Sequence, residues 1–378
     1  MTEKTWASKA DIGEEPNHEE AFLTPAGNET SNVELPRVLR FLQLILDGVG
    51  VRAYLSIQGA CRRASSWLFG SKHALYGLAV TRILLGVAGL GLLLTNFRTR
   101  LYSFAGGAAW NGEMAEPVSD FPKIWVFSFF HRSMSNDHLY TLLYLLLMFI
   151  AVLIIVGWRF KFVLPVYFCL WVGFIEANDM LGDQGDNMYR IVLLLLYFTD
   201  AAGKWSLDAR RRARNGETFS RDSVFGQLGT VFHNLAVIGL AAQVILVYTS
   251  GALFKAGGEP WAQGWAVYHP LATTRFGTWP ILSELITSWG PLVAIGTLGS
   301  LFMQAAFPFL LLHRVTRVIG LIGILGFHLA IAVLMGLPWF SLTMVAVDSI
   351  FIRDVTWRGI AERARFSWAA SRLSSKGI

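Results

Sequence analysis

Between Ala74 and Ile352 the apolar residues are gathered into eight blocks: Ala74–Thr95, Leu139–Gly157, Phe162–Ile175, Met188–Ala201, Val231–Ser250, Pro291–Leu312, Val318–Met335 and Trp339–Ile352. Hydrocarbon offers backbone N–H and C=O groups no partners, so a segment that enters it must satisfy them internally, as a helix does. The expected fold is therefore all-α, a polytopic membrane bundle of about eight transmembrane helices. Several blocks are shorter than the ~20 residues of a full span, so their flanks must complete them or they must tilt against neighbours. Composition agrees: 54% of residues are hydrophobic and 15% charged, against roughly 45–50% and about 25% in soluble domains.

The formal charge of +6 has a membrane explanation and calls for no nucleic-acid partner. With the N-terminus inside, the cytoplasmic connections are GWRFK, DARRRARNGE and HRVTR, followed by FIRDVTWRGIAERARF after the last block. These segments hold most of the arginine and lysine outside the N-terminal region, as the positive-inside rule requires. Both termini are expected in the cytoplasm of a multi-pass protein of the cell membrane. Residues 1–32 read as an acidic disordered tail without the charged and apolar regions of a cleavable signal peptide. Residues 33–72 follow, with Leu35–Leu55 as an amphipathic helix lying on the bilayer surface. Residues 73–353 form the transmembrane domain and 354–378 a basic cytoplasmic tail. Cys61 and Cys169 form no CxxC pair, and no metal-ligand cluster is visible; HEEAF lacks the second histidine of a zinc motif.

This topology collects the unusual polar residues on the outer side. EANDMLGDQGDN places Glu176, Asp179, Asp183, Asp186 and Asn187 between two apolar blocks, with Tyr189 and Arg190 just beyond. YTSGALFKAGGEPWAQGW sets Lys255 between an apolar block and a Gly-Gly-Glu-Pro-Trp turn, with Tyr248 before it and Glu259, Trp261 and His269 after it. The first outer loop ends in HRSMSNDH, with His131 and His138. His328 lies inside a strongly apolar block, where a polar side chain faces a partner or a cavity. Arg82, inside the first block, needs a counterion, and Arg190 has Asp186 as a candidate. Each residue also has a bland reading: loop carboxylates are solvated, histidines cap helices, and lysines at helix ends snorkel.

GDNMYRIVLLLLYFTDAAGKWSLDA, VYTSGALFKAGGEPWAQGWAVYH and FHLAIAVLMGLPWFSLTMVAVD stand in the order and spacing of the HTTM superfamily. That family is the membrane domain of vitamin K-dependent γ-glutamyl carboxylase and its bacterial relatives, and WAQGWAVYH resembles its sporulation-delaying-protein B-like branch. The resemblance implies that Lys255 acts as a base toward reduced vitamin K, a menaquinol-type quinol, and that His328 polarises or hydrogen-bonds that group. The expected pocket unites Lys255 and His328 with the Asp183–Asn187 loop. Tyr248, Trp261, Phe327 and Trp339 line it around the cofactor, and Arg190, Glu259 and His269 add polar contacts. Phe254 occupies the first place of the carboxylase's lysine pair, and Gly185-Asp186-Asn187 stands where the carboxylase has a histidine; its large lumenal region has no counterpart in residues 354–378.

Two functional classes follow. One is a carboxylase-like enzyme that modifies or matures a secreted precursor peptide on the outer face. The other is a non-catalytic partner of a toxin peptide, an immunity or assembly factor of a bacteriocin-type system. Either would work in the lipid bilayer with a soluble accessory protein of the sporulation-delaying-protein A type. A transporter is the weaker third class, since no inverted repeat is evident.

Overall fold

The computed structural model describes residues 37–107, 119–178, 181–216 and 223–374. The acidic tail and Asp179 lie outside the described residues. The chain divides into two compact units, Met1–Arg62 and Arg63–Ile378, with the division falling inside helix α1 (Arg37–Gly70). That helix runs fifteen residues past the expected end at Leu55, because no glycine–proline stop intervenes before Gly70 and Ser71.

Every described regular element of the second unit is helical. Its main helices are α2 (Leu75–Thr95), α3 (Asp137–Val156), α4 (Phe160–Ile175), α5 (Gln184–Phe198) and α6 (Val224–Ala256). They continue with α7 (Gly290–Leu310), α8 (Arg314–Leu334), α9 (Pro338–Asp348) and α10 (Asp354–Ser374). All eight apolar blocks fall on helices α2 to α9. Five of these, α2, α3, α6, α7 and α8, are long and apolar enough to cross a membrane; α4 and α9 are apolar but shorter, and α5 spans 15 residues.

Helix α2 is the hub, packed against α3, α5, α9 and α10, while α8 touches α7 and α9. Burial follows position: 67% of the apolar window of α2 is buried but only 17% of that of α8. The small residues of α2 permit the close approach. Gly86 admits Ile155 and Gly91 admits the Trp339 indole, each where a Cβ would collide.

Two layers of polar contacts fix the helix ends. At one end the Asp354 carboxylate accepts the N–H groups of Leu75 (3.1 Å) and Tyr76 (3.0 Å), capping α2. At the same end of the bundle Asp208 accepts from Arg159 (2.9 Å) and Phe160 (2.8 Å), and Asn234 donates to the carbonyls of Leu68 and Ser71 at 2.9 Å. At the other end Trp339 donates to Thr95 (3.1 Å) and Arg100 to Thr141. The first layer gathers the arginine-bearing connections and the second gathers the loops with carboxylates and Lys255.

Arg82 is fully buried. Backbone carbonyls take its hydrogen bonds, and the Asp208 carboxylate is the counter-charge that acts on it. Its guanidinium donates to the carbonyls of Ile154 (2.6 Å), Ala201 (3.2 Å) and Trp205 (2.7 Å), and to that of Ile155. Ile154 and Ile155 lie in the last turn of α3, whose carbonyls carry the negative end of the helix dipole; that of Ile154 also accepts the Gly157 N–H at 3.2 Å. Gly157, at φ 65°, ends that helix, and a Cβ there would lie 2.9 Å from an Arg82 nitrogen.

Candidate functional site

The last turns of α6 place Tyr248, Gly251 and Lys255 on one stripe, the i, i+3, i+7 spacing of a helix face. That stripe meets α7, where Gln304 is buried. The absence of a side chain at Gly251 lets the Gln304 amide come close, since a Cβ would sit 3.4 Å from its oxygen. Lys255 Nζ donates to Gln304 Oε1 at 3.0 Å. The same nitrogen lies 4.9 Å from the centre of the Trp261 ring and 5.6 Å from that of Phe327. No carboxylate among the described residues pairs with it, because the expected competitors are engaged elsewhere.

His328 stands beside this group. Phe327 and His328 have ring centres 5.0 Å apart, so the lysine nitrogen and the imidazole centre are separated by no more than those two steps laid end to end. His328 is buried, and its Nε2 meets Tyr248 Oη at 3.0 Å; Tyr248 in turn donates to Asp348 Oδ2 at 2.8 Å. Tyr248 has one proton, and it is committed to the carboxylate. With that proton on the carboxylate, the tautomer that completes the chain donates from His328 Nε2 to the phenol oxygen and leaves Nδ1 as an acceptor. His328 Nδ1 and Asp348 Oδ1 are both buried without hydrogen-bond partners among the described residues. A buried chain of three polar groups with both outer atoms unsatisfied is costly as structure and fits a place where a ligand or a proton completes the set.

The other expected residues divide. Trp339 packs on Gly91 and lines, with Asp183, Gly185, Asp186, Trp171, Tyr189 and Phe340, a cavity of about 20 Å3. Phe340, on the wall of this cavity, has its ring 5.9 Å from His328. Lys255 and His328 are not among the residues that line it. Asp183 and Asp186 serve the backbone of their own turn. Asp183 Oδ1 accepts from Gly185 (2.6 Å) and Asp186 Oδ2 accepts from the Asp183 N–H (2.9 Å), a reciprocal cap on α5.

Arg190 corrects the sequence reading. It pairs with Glu176, lies 5.0 Å over the Phe121 ring and holds Asn187 at 3.1 Å; Asp186 is occupied by the cap. Glu259 and His269 do not join Lys255 either. Glu259 accepts from Gln263 (2.7 Å), and His269 packs edge-on against Trp265 (4.8 Å) in a separate cleft.

The sequence reading missed Asp348 and Gln304. Each had a signal, a carboxylate closing the apolar run FSLTMVAVD and an amide inside LFMQAAFPF.

These helices and this buried polar chain define a polytopic helical membrane protein with an ionisable site between helices. The chain belongs to the HTTM domain family, whose description matches residues 73–357. It is similar to sporulation-delaying protein SdpB of Bacillus subtilis (strain 168), at 24% identity over 295 residues, which cover 73% of this chain and 81% of that relative. No solved structure matches.

Proposed function

We propose that this protein modifies or matures a secreted precursor peptide at the outer face of the cell membrane, with Lys255 as the base, in a system of the sporulation-delaying-protein kind with an accessory protein. In this reading all eight of the helices α2 to α9 cross the bilayer. The arginine-bearing layer of helix ends is cytoplasmic, both termini lie on that side, and α1 rests on the membrane surface.

The observation that carries the reading is the partner of Lys255. A carboxylate would hold its proton, whereas a glutamine oxygen accepts one N–H and adds no charge. The rest of its surroundings are ring faces, which steady a cation less than an ion pair does.

The residues present suit a reduced quinone of the vitamin K class. Trp261 and Phe327 offer faces for a ring, Lys255 offers a base for a hydroxyl, and His328 Nδ1 and Asp348 Oδ1 are buried polar atoms still lacking partners. When bound, such a group supplies reducing equivalents and an acidic ring hydroxyl. Lys255, in its neutral form, takes that proton at Nζ; Gln304 fixes where Nζ points. His328 presents a hydrogen-bond acceptor, and Tyr248 holds its ring in place. The exposed Phe254 faces away from this work, so one lysine serves where the carboxylase has two.

The test is the mass of the secreted precursor from cells carrying wild-type protein, Lys255→Ala or Lys255→Arg at equal membrane levels. Arginine keeps the charge but does not give up its proton near neutral pH. Both variants are expected to lose the modified product by roughly 10²–10⁴-fold, the usual contribution of a general base. Full activity of the arginine variant removes the base role. Full activity of the alanine variant favours the non-catalytic partner.

A further inference from the structure

A roomy cavity lies at the arginine-bearing end of the bundle. It measures about 550 Å3 and runs between α2, α8 and the stretch from α9 into α10. This is the size of a small-molecule site, roughly 300–1,000 Å3. Its walls are aliphatic over most of their extent: Val80, Leu84, Leu321, Ile324, Leu325 and Val345. Three guanidinium groups, those of Arg314, Arg317 and Arg353, stand at one end of it.

The polarity is ordered along the cavity. Helices α8 and α9 run antiparallel, so Arg314 and Arg317 at the start of α8 share a level with Arg353, which follows α9 and directly precedes α10. From there the wall becomes apolar toward Leu325 and Val345. Eight residues of α8 separate Arg317 from Leu325, about 12 Å at ~1.5 Å per residue, most of the ~15 Å hydrocarbon depth of one leaflet. Val318, Ile322 and Leu325 are half or more exposed on the same helix, so the cavity opens sideways to the acyl-chain region.

The arginines are free to take an anion. The side chains of Arg314 and Arg353 have no hydrogen bond or ion pair among the described residues, and Arg317 spends one donor on the Leu311 carbonyl (3.1 Å). The nearby Asp354 carboxylate is committed to capping α2. Asp348, the one carboxyl on the cavity wall among the described residues, turns an oxygen to Tyr248. A positive-inside bias alone explains arginines at this level, but it does not explain why three from two elements ring the mouth of an apolar cavity of this size.

We propose that this cavity holds one anionic phospholipid, with the phosphate on Arg314, Arg317 and Arg353 and an acyl chain in the aliphatic channel. Guanidinium forks match phosphate oxygens, and basic pockets beside transmembrane helices suit anionic headgroups. The cavity shares Asp348 with the polar chain of His328 and Tyr248, but its three arginines take no part in that chain.

Native mass spectrometry of the full chain, released from nanodiscs of phosphatidylcholine containing a minority of phosphatidylglycerol, tests it. The wild type is expected to retain one phosphatidylglycerol per chain through delipidation. Combined Arg314→Gln, Arg317→Gln and Arg353→Gln is expected to weaken that binding roughly 100-fold, at about 1 kcal/mol for each basic group. Leu321→Trp, which fills the channel and leaves the arginines, is expected to lose it as well, with the arginine variant as the check should the tryptophan variant fail to fold. Undiminished retention by the arginine variant overturns the site. So does undiminished retention by a folded tryptophan variant, which would mean surface electrostatics alone, and so does displacement of the lipid by inorganic phosphate, which would mean an anion site without a lipid channel.

Discussion

Arg82→Leu is expected to leave little folded protein. Leucine fits the apolar surroundings of α2 but strands the carbonyls of Ile155, Ala201 and Trp205, while that of Ile154 keeps only the Gly157 N–H. A buried acceptor left without a donor costs ~1–3 kcal/mol, so the three together cost at least ~3 kcal/mol. That is a large part of the roughly 5–15 kcal/mol by which proteins are stable. Arg82→Lys is expected to recover only a part, because an ammonium is a point donor and does not reach both the end of α3 and the loop after α5. Thermal unfolding followed by size-exclusion chromatography in detergent measures both. An Arg82→Leu midpoint close to that of the wild type would show that water or rearranged side chains satisfy these carbonyls.

Gly89→Ala is expected to produce the second large loss. A methyl group at Gly89 would collide with Tyr167 Oη and come within 2.6 Å of Tyr189 Oη and 3.2 Å of the Trp171 ring. The two phenols share a hydrogen bond of 2.8 Å, and Tyr189 donates onward to the Leu85 carbonyl at 2.8 Å. Overpacking a tight core costs ~1–3 kcal/mol, and separating the phenols would add the loss of a buried hydrogen bond, ~0.5–1.5 kcal/mol. The double variant Gly89→Ala with Tyr167→Phe removes the atom in closest conflict and is expected to be less destabilised than the sum of the single variants, as coupled neighbours are. Simple additivity would show that the glycine serves backbone flexibility and not the phenol pair.

The elements legible in the sequence were those that depend on one segment alone. Each apolar block became a helix because hydrocarbon leaves the backbone no other local solution. Lys255, Tyr248 and His328 stood out because polar groups in such blocks are expensive. Pairings between segments were not legible. Arg190 was matched with Asp186, four residues away, although that carboxylate is consumed by the cap on α5 and the arginine reaches back to Glu176 instead. Gln304 and Asp348 gained meaning only when α7 and α9 came against α6, since neither has a motif of its own. The place of Phe340, beside His328 and on the wall of the Asp183–Asp186 cavity, depends on how α9 packs, and single-sequence patterns carry no such information.

The cap that Asp354 places on Leu75 and Tyr76 constrains how many times the chain can cross. The residue that opens the first apolar helix and the residue just past the last one touch, so the chain enters and leaves the membrane domain at the same face. A path that returns to the face it started from crosses an even number of times. The five helices long and apolar enough to cross are an odd number; with all five in the bilayer, an odd number of the shorter helices α4, α5 and α9 would complete the path. A tag following Ile378 and a tag preceding Leu75 would then be reached by the same impermeant reagent from the same side.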